Sequence, residues 1–188
     1  WDEELEFYSI IIPDGALTSR LRHINPGDEM VISAKAVGTL TTLGLKPGGK
    51  RLFMLSTGTG FAPFASVILD EDIYEDFDEV YVTQTCRYVA DLAYAKSRIA
   101  ATKECPLVGD EAEEKLHYYG SVTREPYQYQ GRITTLIDNG KLFEDLGIPP
   151  FDPETDRIMI CGSLEMLHDT QALIEKQKII FPLNQLVP

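Results

Sequence analysis

Cysteine is scarce: Cys86, Cys105 and Cys161 are odd in number and far apart, with no CxxC among them. That excludes a disulfide framework and gives no zinc-ligand spacing, and a reducing cytoplasm is the default compartment. The three histidines, His23, His117 and His168, have no metal-ligating spacing either, so no metal site is expected. Long apolar runs are also missing. The longest hopeful stretch, Ile10-Ile11-Ile12, stops at Pro13, far short of the roughly 20 residues of a membrane span. Basic charge is in deficit: 17 Lys and Arg stand against 30 Asp and Glu, for a net charge of −13. Such a surface is repelled by nucleic acid and by anionic membranes. The chain starts at Trp1 with no charged segment leading into an apolar one, so no signal peptide is read.

What is present suits an ordinary globular protein. Of 188 residues, 44% are apolar and 25% charged, enough for one full domain or a domain and part of another. The acidity is uneven. Residues 1–51 hold six basic against seven acidic side chains, residues 52–188 eleven against twenty-three. The local pattern changes at the same place. Leu5–Ile12 reads as a strand closed by the turn Pro13-Asp14-Gly15, and Glu29–Ser33 as another after Pro26-Gly27-Asp28. Lys46-Pro47-Gly48-Gly49 reads as a linker.

Beyond it, strands at Leu52–Ser56, Glu79–Thr85, Leu116–Val122 and Arg157–Cys161 alternate with helices. These are expected at Pro63–Leu69, Val89–Ala101, Ile133–Leu146 (broken at Asn139-Gly140) and Leu164–Gln177. Such alternation predicts a parallel sheet with helices on both faces. Asp70–Asp72 and Asp110–Glu114 read as solvated acidic faces. Lys178–Pro188 fits no element.

Four stretches carry chemistry. Ser56-Thr57-Gly58-Thr59-Gly60-Phe61-Ala62-Pro63 follows a buried strand and opens a helix, where glycines admit a phosphate to free N–H groups. It is neither GxGxxG nor a Walker loop, and a plain Gly-rich turn is the bland alternative. Cys161-Gly162-Ser163 ends another strand, where ligands of open α/β sheets bind; a structural Cys beside a tight turn is the alternative. Thr123-Arg124 and Gly131-Arg132 could grip a terminal phosphate, or Arg124 could simply pair with Glu125; Arg87 shares the ambiguity. Ala16-Leu17-Thr18-Ser19-Arg20 could donate to a pyrophosphate or cap a helix over Ser19–His23.

In this order, these stretches resemble one family, the bacterial ferredoxin–NADP(+) reductases, over Trp1 to about Gln177. The likeness rests on Glu6–Ile10, Pro13–Leu21, Pro26-Gly27-Asp28, Ser56–Pro63, Cys86-Arg87, Ala90–Tyr94, Thr123-Arg124-Glu125, Gly131-Arg132-Ile133 and Cys161-Gly162-Ser163. Cys86-Arg87, Tyr118-Tyr119 and Phe143–Gly147 look most like the alphaproteobacterial branch.

The resemblance implies part of an antiparallel β-barrel flavin domain over residues 1–48, an α/β NADP-binding domain over 49–177, and an atypical tail over 178–188. It implies FAD contacts at Tyr8, Ser9, Ile10, Ile11, Ala16, Leu17, Thr18 and Thr59. It implies NADP contacts at Cys86, Arg87, Arg124, Arg132, Gly162, Ser163 and Asp169, the arginines 124 and 132 at the 2′-phosphate. Cys161 falls against the nicotinamide, as the catalytic position. The implied activity is hydride exchange between NADPH and flavin N5, followed by single-electron exchange with ferredoxin or flavodoxin, by a monomer. A reductase component of an oxygenase system is the alternative, as is a nucleotide-binding fragment without catalysis. The family's partners are acidic, so docking is expected on the near-neutral N-terminal part, at Arg20, Arg22, Lys35, Lys50 and Arg51, or on a family segment not contained in these 188 residues. The 188 residues contain no Arg-x-Tyr-Ser flavin motif, and Lys178–Pro188 does not match the family's ending. The expectation is a fragment that holds FAD weakly.

Overall fold

The computed structural model describes residues 5–33, 35, 38, 40–45 and 48–176. The chain divides into two compact units, Trp1–Gly38 and Thr39–Pro188.

In the second unit, four strands form one wholly parallel sheet in the order β3-β2-β1-β4. They are β1 (Arg51–Thr57), β2 (Glu79–Cys86), β3 (Leu116–Val122) and β4 (Asp156–Cys161). Their cores, such as Leu52-Phe53-Met54-Leu55 and Ile158-Met159-Ile160, are continuous apolar runs because both faces are covered. Alternate residues serve opposite faces. Leu52, Met54, Val80, Val82 and Leu116 pack under one layer of helices, α2 (Ala62–Val67), α3 (Asp72–Asp76), α4 (Ala93–Lys103) and α5 (Gly109–Lys115). Phe53, Leu55, Tyr81, Tyr119, Ile158 and Ile160 pack under α6 (Ile133–Asp138), α7 (Lys141–Leu146) and α8 (Leu164–Lys176). The expected helices on both faces are present.

Two helices went unread in the sequence. The stretches expected to be solvated acidic faces lie at α3 and α5. Each keeps its carboxylates outward and buries a few apolar residues, Ile73 and Tyr74 in one and Ala112 in the other. Elements this short show too little periodicity to stand out. The break expected at Asn139-Gly140 separates α6 from α7, where Gly140 takes a left-handed φ of 78°. Leu40 and Leu45 pack on the first of the two cores, so the segment read as the end of the first domain joins the second unit.

The first unit corrects the strand expectations. Neither Leu5–Ile12 nor Glu29–Ser33 forms a ladder among the described residues; the regular element there is α1 (Thr18–Leu21). A β-rich composition needs a partner strand before it becomes a sheet, and Phe7, Ile10, Ile11, Ile12 and Val31 remain exposed. The tail from Lys178 lies outside the described residues. No described helix is long and apolar enough to cross a membrane.

Candidate functional site

The strand order turns at β1: β2 lies on one side of it and β4 on the other. A crevice for a ligand belongs at the carboxyl ends of such strands. The Gly-rich loop and the Cys161 turn meet there, since Ser56 pairs with Cys161 in register. They interlock through glycines. A Cβ on Gly60 would lie 2.2 Å from the Cys161 carbonyl oxygen, and one on Gly162 would lie 2.4 Å from Thr57 Oγ1. Gly58 takes a left-handed φ of 53°, which only glycine adopts freely. The loop then turns through Gly58–Phe61 into α2, with Pro63 in its first turn. Thr59 is half-buried in that turn.

Buried polar groups brace this loop from behind. Gln84 Nε2 donates to the Gly58 carbonyl at 2.8 Å, and Tyr118 Oη donates to Gln84 Oε1 at 2.9 Å. Ser56 Oγ donates to the Thr83 carbonyl at 2.7 Å. Gln84 and Tyr118 were not singled out as bracing residues from the sequence. A signal existed: Gln84 lies between Thr83 and Thr85 in a strand buried from Val80 to Cys86, and buried amides find partners.

The ends of β2 and β3 are joined by a ladder that continues past the strands. The Thr123 N–H donates to the Cys86 carbonyl at 3.1 Å, and the Arg124 N–H to the Arg87 carbonyl at 3.0 Å. Thr85 Oγ1 and Ser121 Oγ share a buried hydrogen bond at 2.8 Å. The segment after Arg124 folds back, with the Gly131 N–H donating to the Val122 carbonyl at 2.9 Å. Arg87, Arg124 and Arg132 are all exposed. Arg132 lies 3.7 Å from Glu165, with both side chains at least 70% exposed, a weak contact in water. Neither the Arg87 nor the Arg124 guanidinium pairs with any described residue. Glu125, the neighbour expected as Arg124's ion-pair partner, instead accepts the Val89 N–H.

At the end of β4, burial pushes the Cys161 thiol up from its ordinary pKa. It is a neutral thiol at pH 7, not an activated nucleophile. Burial, aided by the Asp91 charge, likewise pushes Cys86 up to about 11. Ser163 accepts the Met166 N–H at 3.3 Å, so its hydroxyl works as a helix cap for α8. Asp169 is exposed more than a turn into α8, away from the strand ends.

The structure thus brings together Thr59, Cys161, Gly162 and Ser163 at β1 and β4, and Cys86, Arg87 and Arg124 at β2 and β3. Arg132 opens α6 beside them. Tyr8–Ile11 and Ala16–Thr18 belong to the other unit. There, Ser9, Ile10 and Ile11 make no hydrogen bond with another described residue. Thr18 Oγ1 accepts the Ile12 N–H at 3.0 Å, and Ser19 Oγ donates to the Gly15 carbonyl at 2.5 Å. These hydroxyls hold the turn rather than cap α1, whose expected span over Ser19–His23 is found at Thr18–Leu21.

Two further residues, Arg51 and His117, have structural roles. Arg51, expected at a docking surface, is tied into the sheet. Its Nε donates to Asp156 Oδ1 at 2.7 Å and its other nitrogens to the carbonyls of Pro149 and Pro150. His117 bonds Glu79 at 2.5 Å and stacks on Tyr81.

Residues 54–172 match the family model described as the oxidoreductase NAD-binding domain. The chain is 53% identical over 175 residues to a flavodoxin/ferredoxin–NADP reductase of Rhodobacter capsulatus, covering 93% of this chain and 64% of that protein. It is 51% identical over 175 residues to a ferredoxin–NADP reductase of Pseudomonas aeruginosa, covering 67% of it. The chain therefore spans about two thirds of the length of these relatives. Among solved structures, it is similar to a ferredoxin NADP+ reductase from Neisseria gonorrhoeae with bound FAD and NADP. The TM-score is 0.75 at 30% identity, over 88% of this chain and 64% of the other.

Proposed function

The chain belongs to the ferredoxin–NADP reductase family, and from that premise we propose that it takes NADP(H) at the carboxyl edge of its sheet and works with FAD. The parent activity is electron exchange between NADP(H) and ferredoxin or flavodoxin. One observation carries the reading. In a protein of net charge −13, Arg87 and Arg124 are held side by side at a strand edge, exposed and without acidic partners. Unneutralised guanidiniums so placed suit a phosphate, which each can grip through two parallel hydrogen bonds.

The residues fit a phosphorylated dinucleotide. The loop from Gly58 presents backbone where no Cβ intervenes, and Arg124 and Arg132 offer charge to a 2′-phosphate, Arg132 making only a weak, exposed contact with Glu165. Cys161 and Gly162 bring a neutral, close-packed edge to the nicotinamide end. The backbone of Ser9, Ile10 and Ile11, which bonds no other described residue, suits contacts to a flavin. When bound, the cofactors supply hydride exchange and single-electron transfer. The chain's own part is to orient the nucleotide, hold Cys161 protonated and exclude water beside it.

The test is calorimetric titration of the 188-residue chain with NADP+ and NAD+, alongside a flavin absorbance spectrum after mixing with FAD. A marked preference for the 2′-phosphorylated nucleotide is expected. Equal affinity for both nucleotides would overturn the reading.

A further inference from the structure

Glu125 follows Arg124 directly, yet its carboxylate makes no ion pair with it. Instead it crosses to the segment after β2 and accepts the backbone N–H of Val89. The other acidic group nearby is tied down in the same way: Asp91 Oδ2 accepts the Tyr88 N–H at 3.1 Å. Two successive N–H groups at the start of the turn Val89–Leu92 thus occupy both carboxylates. These N–H groups open a helical turn and have no partner within it, so a carboxylate satisfies them well.

We propose that the Val89 N–H keeps the Glu125 carboxylate off Arg124, so that Glu125 acts as a positioning residue that preserves the Arg124 charge for a phosphate ligand. The inference rests on the reading that Arg124 meets a 2′-phosphate. A free carboxylate one residue from Arg124 would compete with that phosphate for the guanidinium. The hydrogen bond to Val89 removes the competitor without removing its charge from the sequence, and it ties the β2 and β3 segments together at the same point.

The experiment separates charge from reach. Binding of 2′,5′-ADP and 5′-ADP to the 188-residue chain is measured by calorimetry. Glu125→Gln keeps an acceptor oxygen for Val89 and has no charge, so affinities within twofold of wild type are expected. Glu125→Asp keeps the charge on a side chain too short to reach Val89. It should weaken 2′,5′-ADP by roughly two- to fivefold, the size of an exposed ion pair, and leave 5′-ADP unchanged. Val89→Pro deletes the donor at the first position of a helical turn, where proline is tolerated. Tyr88, before it, already has the extended φ −128°, ψ 156° that proline demands of its predecessor. This variant should show the same selective loss, and adding Glu125→Gln to it should restore binding. A merely structural tie would not be rescued by removing the charge. Equal affinities for the Asp and Gln variants, or a double variant as weak as Val89→Pro, would overturn the proposal. If Arg124→Ala leaves 2′,5′-ADP binding unchanged, the underlying reading of the site falls, and this one with it.

Discussion

The two ends of the parallel sheet treat arginine in opposite ways. At the amino end, Arg51 lies against Asp156, whose side chain is fully buried, and spends its remaining donors on the Pro149 and Pro150 carbonyls. The Asp152 N–H adds a further bond to the same carboxylate. At the carboxyl end, Arg87 and Arg124 are exposed and unpaired among the described residues, and the nearby carboxylates are bound to backbone N–H groups instead. One end spends its charge on the fold. The other leaves it available, which costs little in water and matters only when an anion arrives.

Substitutions at each end should therefore separate stability from binding. The largest effect is expected for Asp156→Ala, which strands a nearly buried guanidinium. Breaking one side of a buried pair costs about 3–5 kcal/mol, read as a lower urea midpoint. A loss below about 1 kcal/mol, the range of an exposed pair, would erase the contrast between the ends. Arg124→Ala should do the reverse. Stability should stay within about 0.5 kcal/mol, while loss of a charged hydrogen-bond partner weakens NADP+ by about 1.5–3 kcal/mol, roughly tenfold or more. Equal losses for NADP+ and NAD+ would show that Arg124 does not read the 2′-phosphate.

Gly60→Ala mixes the two outcomes. Its Cβ collides with the Cys161 backbone, which must move. Overpacking costs about 1–3 kcal/mol, and the displaced Cys161-Gly162 turn should lower nucleotide affinity as well. An unchanged affinity would mean that this turn does not border the ligand.

The smallest effect is expected from pH. The buried Cys86 thiol is raised from 9.0 to about 11, and Cys161 is raised too. The neutral thiol is favoured in the folded state, so this stabilisation is complete below about pH 9. It is lost as pH rises through about 11, because the unfolded chain ionises first. The urea midpoint should decline over that window, and less steeply in Cys86→Ala. A midpoint that rises instead would contradict the burial of these thiols.

The contrast between the ends was only half legible in the sequence. The arginines 87, 124 and 132 could be picked out because each lies just past a strand or a turn, and those strands show as short apolar runs. The alternation of strand and helix placed all four strands within a residue or two of where they lie. Arg51 was misread as a docking residue because its partner is 105 positions away, a separation over which no local pattern carries information. Glu125 was read as a possible partner for Arg124 because they are adjacent, whereas its actual partner sits 36 positions back. The N-terminal strands were overread for a related reason: composition can favour an extended chain, but a ladder depends on a neighbour.

Burial on both sides of a sheet demands continuous apolar runs, and helices that cover it must recur between them. The order of residues alone therefore determined the α/β architecture and the loops that carry its candidate ligand groups. Which charges are spent and which are left free was decided by the tertiary structure. Strand register sets Arg51 beside Asp156, and the joined ends of β2 and β3 set Glu125 beside Val89. An electrostatic pairing depends on distances of a few ångströms between residues that the chain itself keeps far apart.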